Sequence, residues 1–233
     1  VAGSSVTPRV VSTKTMRVEY VGTFADSRGV ESIRISNDGQ TLRTRIRGVD
    51  FSGTDFDSLD PADEQATLAA KLFCIQLGSL CACELRWTMT VVLSVQGRRI
   101  HAPLRVRLHL GDPLPNARLS SEHLQLELQA PSGSIQSTGR SGWFEDELLD
   151  LARKLPPEER LIACITCQFS DYSPLGHGLF GGLACFRDVK EEYVAISGKA
   201  GIFAIWDRRT ELVQETFLCE QFSPRIAGTG YRG

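Results

Sequence analysis

The sequence predicts an α+β protein, with an antiparallel β-sheet or sandwich in the N-terminal part and a mixed α/β unit in the C-terminal part. Two observations predict the sheet: apolar and polar side chains alternate through residues 83–110, and Asn37-Asp38-Gly39 favours a hairpin turn. The third observation is an apolar stripe with helical spacing in residues 144–155, outside the alternating segments.

The first strands are predicted at residues 16–22, 30–36 and 41–47, with the hairpin between the second and the third. Residues 51–64 are interpreted as an acidic loop that caps a short segment at 61–72. The order of acids and glycines in this loop differs from that of an EF-hand, so calcium is the weaker interpretation.

The longest strands are predicted at residues 83–96 and 100–110, and a shorter one follows at 123–129. The polar side of the second of these strands carries His101, Arg105, Arg107 and His109. This side is either an anion-binding or docking face, or the ordinary solvent-facing side of an antiparallel sheet. The second interpretation is favoured, because such sheets commonly keep one wet face.

Residues 130–142 are rich in Gly, Ser and Thr and predict a linker. The predicted parts are a flexible arm (1–15), a β-rich domain (16–130) and an α+β C-terminal unit (143–233). Ser141 is predicted to cap a helix that Pro156-Pro157 ends. After it, the sequence predicts a central strand at 160–169 and partly helical segments at 188–196 and 200–217.

Composition and charge indicate a soluble, cytoplasmic protein. The 233 residues are 42% hydrophobic and 23% charged, and the net charge of −2 argues against a general nucleic-acid-binding function. No apolar run approaches the roughly 18 residues of a membrane span, and residues 1–15 lack the pattern of a signal peptide. The odd number of cysteines, seven, predicts reduced thiols rather than a disulfide framework.

Four of the cysteines, Cys164, Cys167, Cys185 and Cys219, offer the ligands of a structural zinc site. Zinc ribbons carry two CxxC pairs and this chain has one, and a strand through residues 164–167 would have to bend at Thr166 to chelate. Buried free thiols are therefore the favoured interpretation. A redox CxxC is weaker still, because no helix follows the pair.

Chemistry-bearing side chains concentrate in one stretch, residues 170–187, which we call the glycine-rich loop. Asp171 and His177 are predicted as catalytic acid–base groups and Tyr172 as a catalytic donor, while the glycines would let backbone N–H groups approach an anion. The predicted substrate-binding residues are Ser173, Arg187, Arg208 and Arg209. The loop matches no GxGxxG, Walker or GxSxG motif, and a tightly packed connection without chemistry is an equal alternative.

Four segments of the C-terminal third carry a resemblance: residues 170–187 (SDYSPLGHGLFGGLACFR), 206–209 (WDRR), 215–219 (ETFLC) and 228–233 (GTGYRG). Through them, residues 160–233 resemble an uncharacterised family of actinobacterial proteins. That family has no assigned catalytic residues, so the resemblance transfers no residue role.

Proteins of this kind are expected in specialised metabolism. One example class there is the small proteins of azinomycin-type pathways that close an aziridine ring as an amine displaces a sulfate ester, although no motif of that class matches these residues. Such a reaction needs a base for the amine proton and cations for the departing sulfate. Asp171 or His177 would serve as the base, and Arg187 with Arg208 or Arg209 as the cations.

Two functions therefore stand as hypotheses. The first is a cytoplasmic enzyme or enzyme subunit, without an organic cofactor, that acts on a small anionic metabolite at the glycine-rich loop. The second is a zinc-stapled protein-binding or immunity-type module whose sheet face binds a partner protein. Both allow a homodimer or heterodimer, and neither involves nucleic acid or a membrane.

Overall fold

The structure is a computed structural model that describes residues 18–39 and 41–232, so the predicted arm (1–15) lies outside the described residues. The helices are α1 (Ala66–Leu72), α2 (Phe144–Lys154), α3 (Lys190–Ala195) and α4 (Gly198–Ile205). The strands are β1 (Val18–Asp26), β2 (Gly29–Asn37), β3 (Leu42–Ile46), β4 (Val49–Gly53), β5 (Asp60–Pro61), β6 (Cys74–Gln76), β7 (Ser79–Cys81), β8 (Cys83–Val95), β9 (Arg98–Leu110), β10 (Glu122–Ala130), β11 (Gly133–Gln136), β12 (Glu159–Leu161), β13 (Ser170–Asp171), β14 (Leu183–Cys185) and β15 (Glu211–Val213).

An antiparallel sheet dominates the described part of the chain. Its strands run in the order β11-β10-β9-β8-β1-β2-β3-β4-β5, and β12 pairs with the end of β8 beyond the stretch that β1 covers. Among the described residues the sheet is open, with β11 and β5 at the ends of the strand order. These features confirm the predicted α+β class and its antiparallel N-terminal part.

The β8–β9 hairpin follows the alternation of the sequence. Apolar residues of both strands are buried, whereas His101, Arg105, Arg107 and His109 are exposed. The strands are joined by Gln96-Gly97, whose φ angles of 49° and 81° belong to the tight turns that suit twisted strands. Arg105 forms an ion pair with Glu127 of β10, and Arg107 forms one with Glu84 of β8. Ion pairs thus connect neighbouring strands on the solvent-facing side of the sheet.

Two predicted segments differ from the structure because of local hydrogen bonds and packing. The predicted acidic loop (51–64) contains most of β4, which pairs with β3 and buries Val49 and Phe51, and it contains β5. Ser141 is not the cap of α2, whose N-cap residue is Trp143. The Ser141 hydroxyl instead donates to the buried Glu147 carboxylate at 2.7 Å.

The predicted central strand (160–169) ends early, at Leu161. A 3-10 turn follows at Cys164–Thr166, and the Thr166 hydroxyl donates to the carbonyl oxygens of Leu161 (2.9 Å) and Ala163 (3.0 Å). A threonine that bonds backbone carbonyls in this way competes with strand pairing. The chain therefore bends at the CxxC segment.

One buried cluster joins the sheet to the C-terminal part. Phe56 stacks on Trp87 of β8 with ring centroids 3.9 Å apart, and its ring lies 5.3 Å from that of Phe180 in the glycine-rich loop. Phe144 of α2 contacts the Phe180 ring from another side, at 4.9 Å. The two predicted units therefore share apolar packing at the glycine-rich loop.

A small sheet, β13-β14-β15, holds the ends of the glycine-rich loop together, since Ser170 pairs with Cys185. A second buried cluster packs there, with Phe186 stacked on Tyr193 of α3 at 4.9 Å and Ile202 of α4 beside them. Within the described ranges, no helix is both long and apolar enough to cross a membrane.

Candidate functional site

Two carboxylates fix the middle of the glycine-rich loop from opposite parts of the chain. The Phe180 N–H donates to Asp55 Oδ1 at 2.8 Å, and the next N–H, that of Gly181, donates to Glu215 Oε2 at 2.9 Å. Gly181 has a φ of +83°, a backbone conformation that favours glycine. Consecutive amides thus bind acids that lie 160 positions apart in the sequence.

Glu215 is a fully buried acid with a perturbed pKa. Its other oxygen, Oε1, accepts a hydrogen bond of 2.9 Å from the Tyr172 hydroxyl. Burial raises the pKa of Glu215 to about 7, although the hydrogen bonds from the Gly181 N–H and from Tyr172 oppose the rise. Burial and the nearby Glu215 charge also raise the pKa of Tyr172. A carboxyl group with a pKa near neutrality suits both acid and base catalysis.

His177 lies against the same tyrosine. The two rings stack with centroids 4.0 Å apart, and His177 Nε2 is 3.6 Å from Glu145 Oε1 on α2. The hydrogen bond with Glu145 raises the pKa of His177, against the effect of burial. The structure therefore brings together two of the predicted catalytic residues, Tyr172 and His177, with two acids.

Asp171, the third predicted catalytic residue, lies on the neighbouring side of the tyrosine and is buried. Its carboxylate accepts hydrogen bonds from the Tyr172 N–H (2.9 Å), the Tyr193 hydroxyl (2.8 Å) and the Arg232 N–H (3.0 Å). These three donors make Asp171 an anchor for the C-terminal segment.

The predicted substrate-binding residues are used in separate local contacts. Arg187 forms an ion pair with Glu211, and Arg208 forms one with Glu192. Arg209 donates to the Trp206 carbonyl oxygen at 2.9 Å, and Ser173 Oγ accepts from the Leu175 N–H at 3.2 Å. Across residues 18–39 and 41–232, no hydrogen bond or ion pair links these four side chains to Asp171, Tyr172 or His177.

Arg232 is the cation that reaches the tyrosine. Its guanidinium carbon lies 5.3 Å from the centroid of the Tyr172 ring, a cation–π distance. Sequence reasoning missed Arg232 and Glu215 as site residues. The available signal was their residue type: Glu215 interrupts a partly apolar segment, and an ionisable group in such a setting is a candidate for a functional role.

A cavity of about 360 Å³ lies between the glycine-rich loop and the β2–β3 hairpin. Polar groups of Asn37, Thr54, Asp55 and Gln214 line it, together with loop glycines that include Gly181. The lining residues that the structure describes include no Lys, Arg or His. The cavity thus offers hydrogen-bonding groups and one acid next to the peptide that binds Glu215.

The four cysteines of the predicted zinc site lie in the C-terminal part, and Cys164, Cys167 and Cys185 are buried. Burial raises the pKa of Cys164, and the charges of the other three thiolates would raise it further. In the part of the chain that the structure describes, no group of three or more His, Cys, Asp or Glu side chains is arranged to hold a metal ion. Zinc binding stays a prediction without support from the geometry.

The comparisons with known proteins give one match. A family described as a family of unknown function, DUF6304, matches residues 18–170, which include the main sheet, α2 and the start of the glycine-rich loop. The match covers the sheet, where the sequence motifs carried no resemblance, and it ends where the C-terminal segments begin. No curated protein and no solved structure matches the chain. By this match, the chain belongs to the DUF6304 family.

Proposed function

We propose that the protein is an enzyme, or an enzyme subunit, that transfers a proton to or from a small molecule bound at the glycine-rich loop. Glu215 is the acid–base group, and Tyr172 and His177 complete its hydrogen-bonding and electrostatic surroundings. The observation that carries this proposal is the buried Glu215, which hydrogen-bonds the Tyr172 hydroxyl and has a pKa raised to about 7.

The cavity supports a bound molecule at this position. Gly181 lines the cavity and its N–H also binds Glu215, so the peptide that binds the acid borders the cavity. Gly178, Gly181 and Gly182 flank Leu179-Phe180. These glycines give the segment the backbone freedom to move the Gly181 N–H away from Glu215 and to expose the carboxyl group. A volume of about 360 Å³ suits a small metabolite.

The class of reaction follows from the charge state of Glu215. In its ionised form the carboxylate accepts a proton from an amine or hydroxyl nucleophile, and in its neutral form it returns that proton to a leaving group. Displacement of a sulfate ester by an amine, the example reaction considered for the glycine-rich loop, is one reaction of this class. There, Glu215 takes the proton that the amine loses as the C–O bond to sulfate breaks.

The experiment compares metabolite extracts incubated with the wild-type protein, with Glu215→Gln and with Glu220→Gln. Glu220 is exposed on the same segment, so its variant is a matched control. We expect the wild type and Glu220→Gln to deplete the same compound and to form the same product, as mass spectrometry detects. Glu215→Gln, with unchanged near-ultraviolet circular dichroism, should leave that compound intact. Equal turnover by Glu215→Gln would contradict the proposal.

A further inference from the structure

Two arginines near the end of the described chain, Arg225 and Arg232, are held side by side. The Nη2 atoms of both donate to the carbonyl oxygen of Ser170. Arg225 also donates to the Cys167 carbonyl oxygen at 2.8 Å, and Arg232 to that of Ile165 at 3.0 Å. Because the two guanidinium groups share an acceptor, their positive charges lie close together.

The other donors of both guanidinium groups lack well-aligned acceptors. Nε and Nη1 of each arginine are buried, and none of these four nitrogen atoms makes a hydrogen bond of ordinary geometry among the described residues, although the Tyr193 hydroxyl lies near the Arg225 guanidinium. Unpaired buried donors are rare in folded proteins and call for an explanation. Arg47 shows the usual solution, since its two terminal nitrogen atoms bind the Asp26 carboxylate at 2.5 and 2.7 Å.

The charges around the pair are not balanced. Asp171 Oδ1 is 4.0 Å from Arg232 Nε, and in the part of the chain that the structure describes this is the one ion pair that either arginine makes. The Asp171 carboxylate already accepts from Tyr172, Tyr193 and the Arg232 N–H. Burial and the positive charge of Arg225 lower the pKa of Arg232. One carboxylate thus faces two cations.

We propose that Arg225 and Arg232 form a binding site for a tetrahedral oxyanion, a phosphate or sulfate group. Planar guanidinium groups bind such anions through paired N–H donors, and this pair offers four donors without well-aligned acceptors. The inference rests on the proposed function in one respect only, namely that the bound oxyanion is part of the enzyme's substrate. The position of Arg232 over the Tyr172 ring supports this assignment, because Tyr172 belongs to the candidate site.

The surrounding segment provides the route for the anion. Residues 226–228 are exposed, and Gly228 and Gly230 have φ angles of 78° and 73°. The Arg232 side chain is itself 21% exposed. An anion reaches the buried nitrogen atoms by displacing this short segment, and it then replaces the missing acceptors.

The proposed site uses other cations than the sequence-based prediction did. Arg187, Arg208 and Arg209 were predicted to hold an anion, yet each side chain contacts a protein partner: Glu211, Glu192 and the Trp206 carbonyl oxygen, respectively. Arg225 and Arg232 come from a segment with few apolar residues. Their proximity arises from their shared contact with Ser170, which no spacing in the sequence indicates.

Calorimetric titration at constant ionic strength, set with chloride, tests the proposal. The probes are inorganic phosphate, inorganic sulfate, methyl phosphate and methyl sulfate. We expect saturable binding of at least one probe, weakened tenfold or more in Arg225→Lys and in Arg232→Lys, which keep the charge and lose the planar fork. Arg34→Lys, at an exposed ion pair with Glu19, should bind as the wild type does. Tighter binding of a monoester supports an esterified ligand, and tighter binding of an inorganic ion supports the free ion.

Two outcomes would overturn the proposal: no saturable binding of any probe, or the same affinity in both lysine variants as in the wild type. If the lysine variants do not fold, nuclear magnetic resonance of the wild type decides instead. The Nε–H signals of Arg225 and Arg232 should shift together as a probe is added, and unchanged signals would refute the site. The same titration on Glu215→Gln separates the proposals, because loss of turnover there leaves oxyanion binding intact.

Discussion

Tyr172 is the residue at which the contacts of the candidate site meet. Its ring stacks on His177 and lies beneath the Arg232 guanidinium, and its hydroxyl donates to Glu215. Its own N–H binds Asp171. A single side chain therefore connects the acid of raised pKa, the imidazole and the Arg232 guanidinium.

The sequence predicted part of this set of residues. Tyr172 and His177 stood out because they lie in one loop with several glycines, and Asp171 stood out as their neighbour. Glu215, Arg225 and Arg232 were missed because they reach the loop through tertiary contacts between residues that lie 34 or more positions apart in the sequence. Burial, which decides the pKa of Glu215, is likewise invisible in a single sequence.

Replacement of Glu215 by Gln should change how stability depends on pH. The folded protein raises the pKa of Glu215 from an ordinary 4.5 to about 7, so folding favours the neutral form. The stabilisation that the neutral Glu215 side chain gives to the folded state is complete below pH 4.5 and is lost as the pH rises through 7. We expect the free energy of unfolding of the wild type to fall by up to about 3 kcal/mol relative to Glu215→Gln between pH 5 and pH 8.

Urea unfolding at several pH values measures this difference. Glu220→Gln serves as the control, since Glu220 is exposed and its replacement should leave the pH profile of the wild type unchanged. Parallel profiles for the wild type and Glu215→Gln would show that Glu215 titrates alike in the folded and unfolded states.

At the scale of secondary-structure elements, the glycine-rich loop is a bridge between two carboxylates. Asp55, from the turn between β4 and β5, binds Phe180, and Glu215, just after β15, binds Gly181. The loop is therefore hydrogen-bonded to segments that adjoin both sheets. Gly181 of this loop lines the cavity and also binds Glu215.

Elements with a regular pattern were predicted well, and elements set by single hydrogen bonds were not. The alternation of residues 83–110 predicted β8 and β9 because one face of each strand is buried throughout. The strand predicted at 160–169 was wrong, because the Thr166 hydroxyl closes a turn that the apolar composition conceals. The hairpin at Asn37-Asp38-Gly39 was right, and Asn37 Oδ1 accepts the Gly39 N–H there at 2.8 Å.

Gly181→Ala should destabilise the protein by about 1–2 kcal/mol, because a side chain at a φ of +83° is strained. Steric crowding is not the cause, since a Cβ would meet its nearest neighbour, Gln214 Cγ, at 3.9 Å. Thermal unfolding measures the loss. Leu175→Ala, at a side chain that is 85% exposed in the same loop, should change stability by at most about 0.5 kcal/mol. Equal effects of the two variants would contradict the role given to the Gly181 backbone.

At the scale of the whole molecule, the sheet and the C-terminal part depend on common packing. Phe56 is fully buried and lies between Trp87 of the sheet and Phe180 of the glycine-rich loop. The composition of residues 130–142 predicted a linker, but it could not show that aromatic rings pack across it. Long-range contacts of this kind are set by tertiary structure and leave no local pattern.

Phe56→Ala should cost about 3–5 kcal/mol, as the loss of a buried phenylalanine ring commonly does. Because its ring contacts both parts, far- and near-ultraviolet circular dichroism should show one shared transition that moves to lower denaturant concentration. Phe203→Ala, at a side chain that is 44% exposed, should shift this transition by about 0.5 kcal/mol or less. Separate transitions for the sheet and the C-terminal part would contradict a common core.

The pKa of Glu215 is the quantity on which the acid–base site depends most directly. Carbon-13 nuclear magnetic resonance of protein labelled at the glutamate carboxyl groups measures it, and the signal that is missing in Glu215→Gln identifies the residue. The structure predicts a midpoint at about pH 7 for this signal, well above the ordinary 4.5. A midpoint close to 4.5 would mean that Glu215 is a permanent anion at neutral pH, and it would contradict the acid–base role.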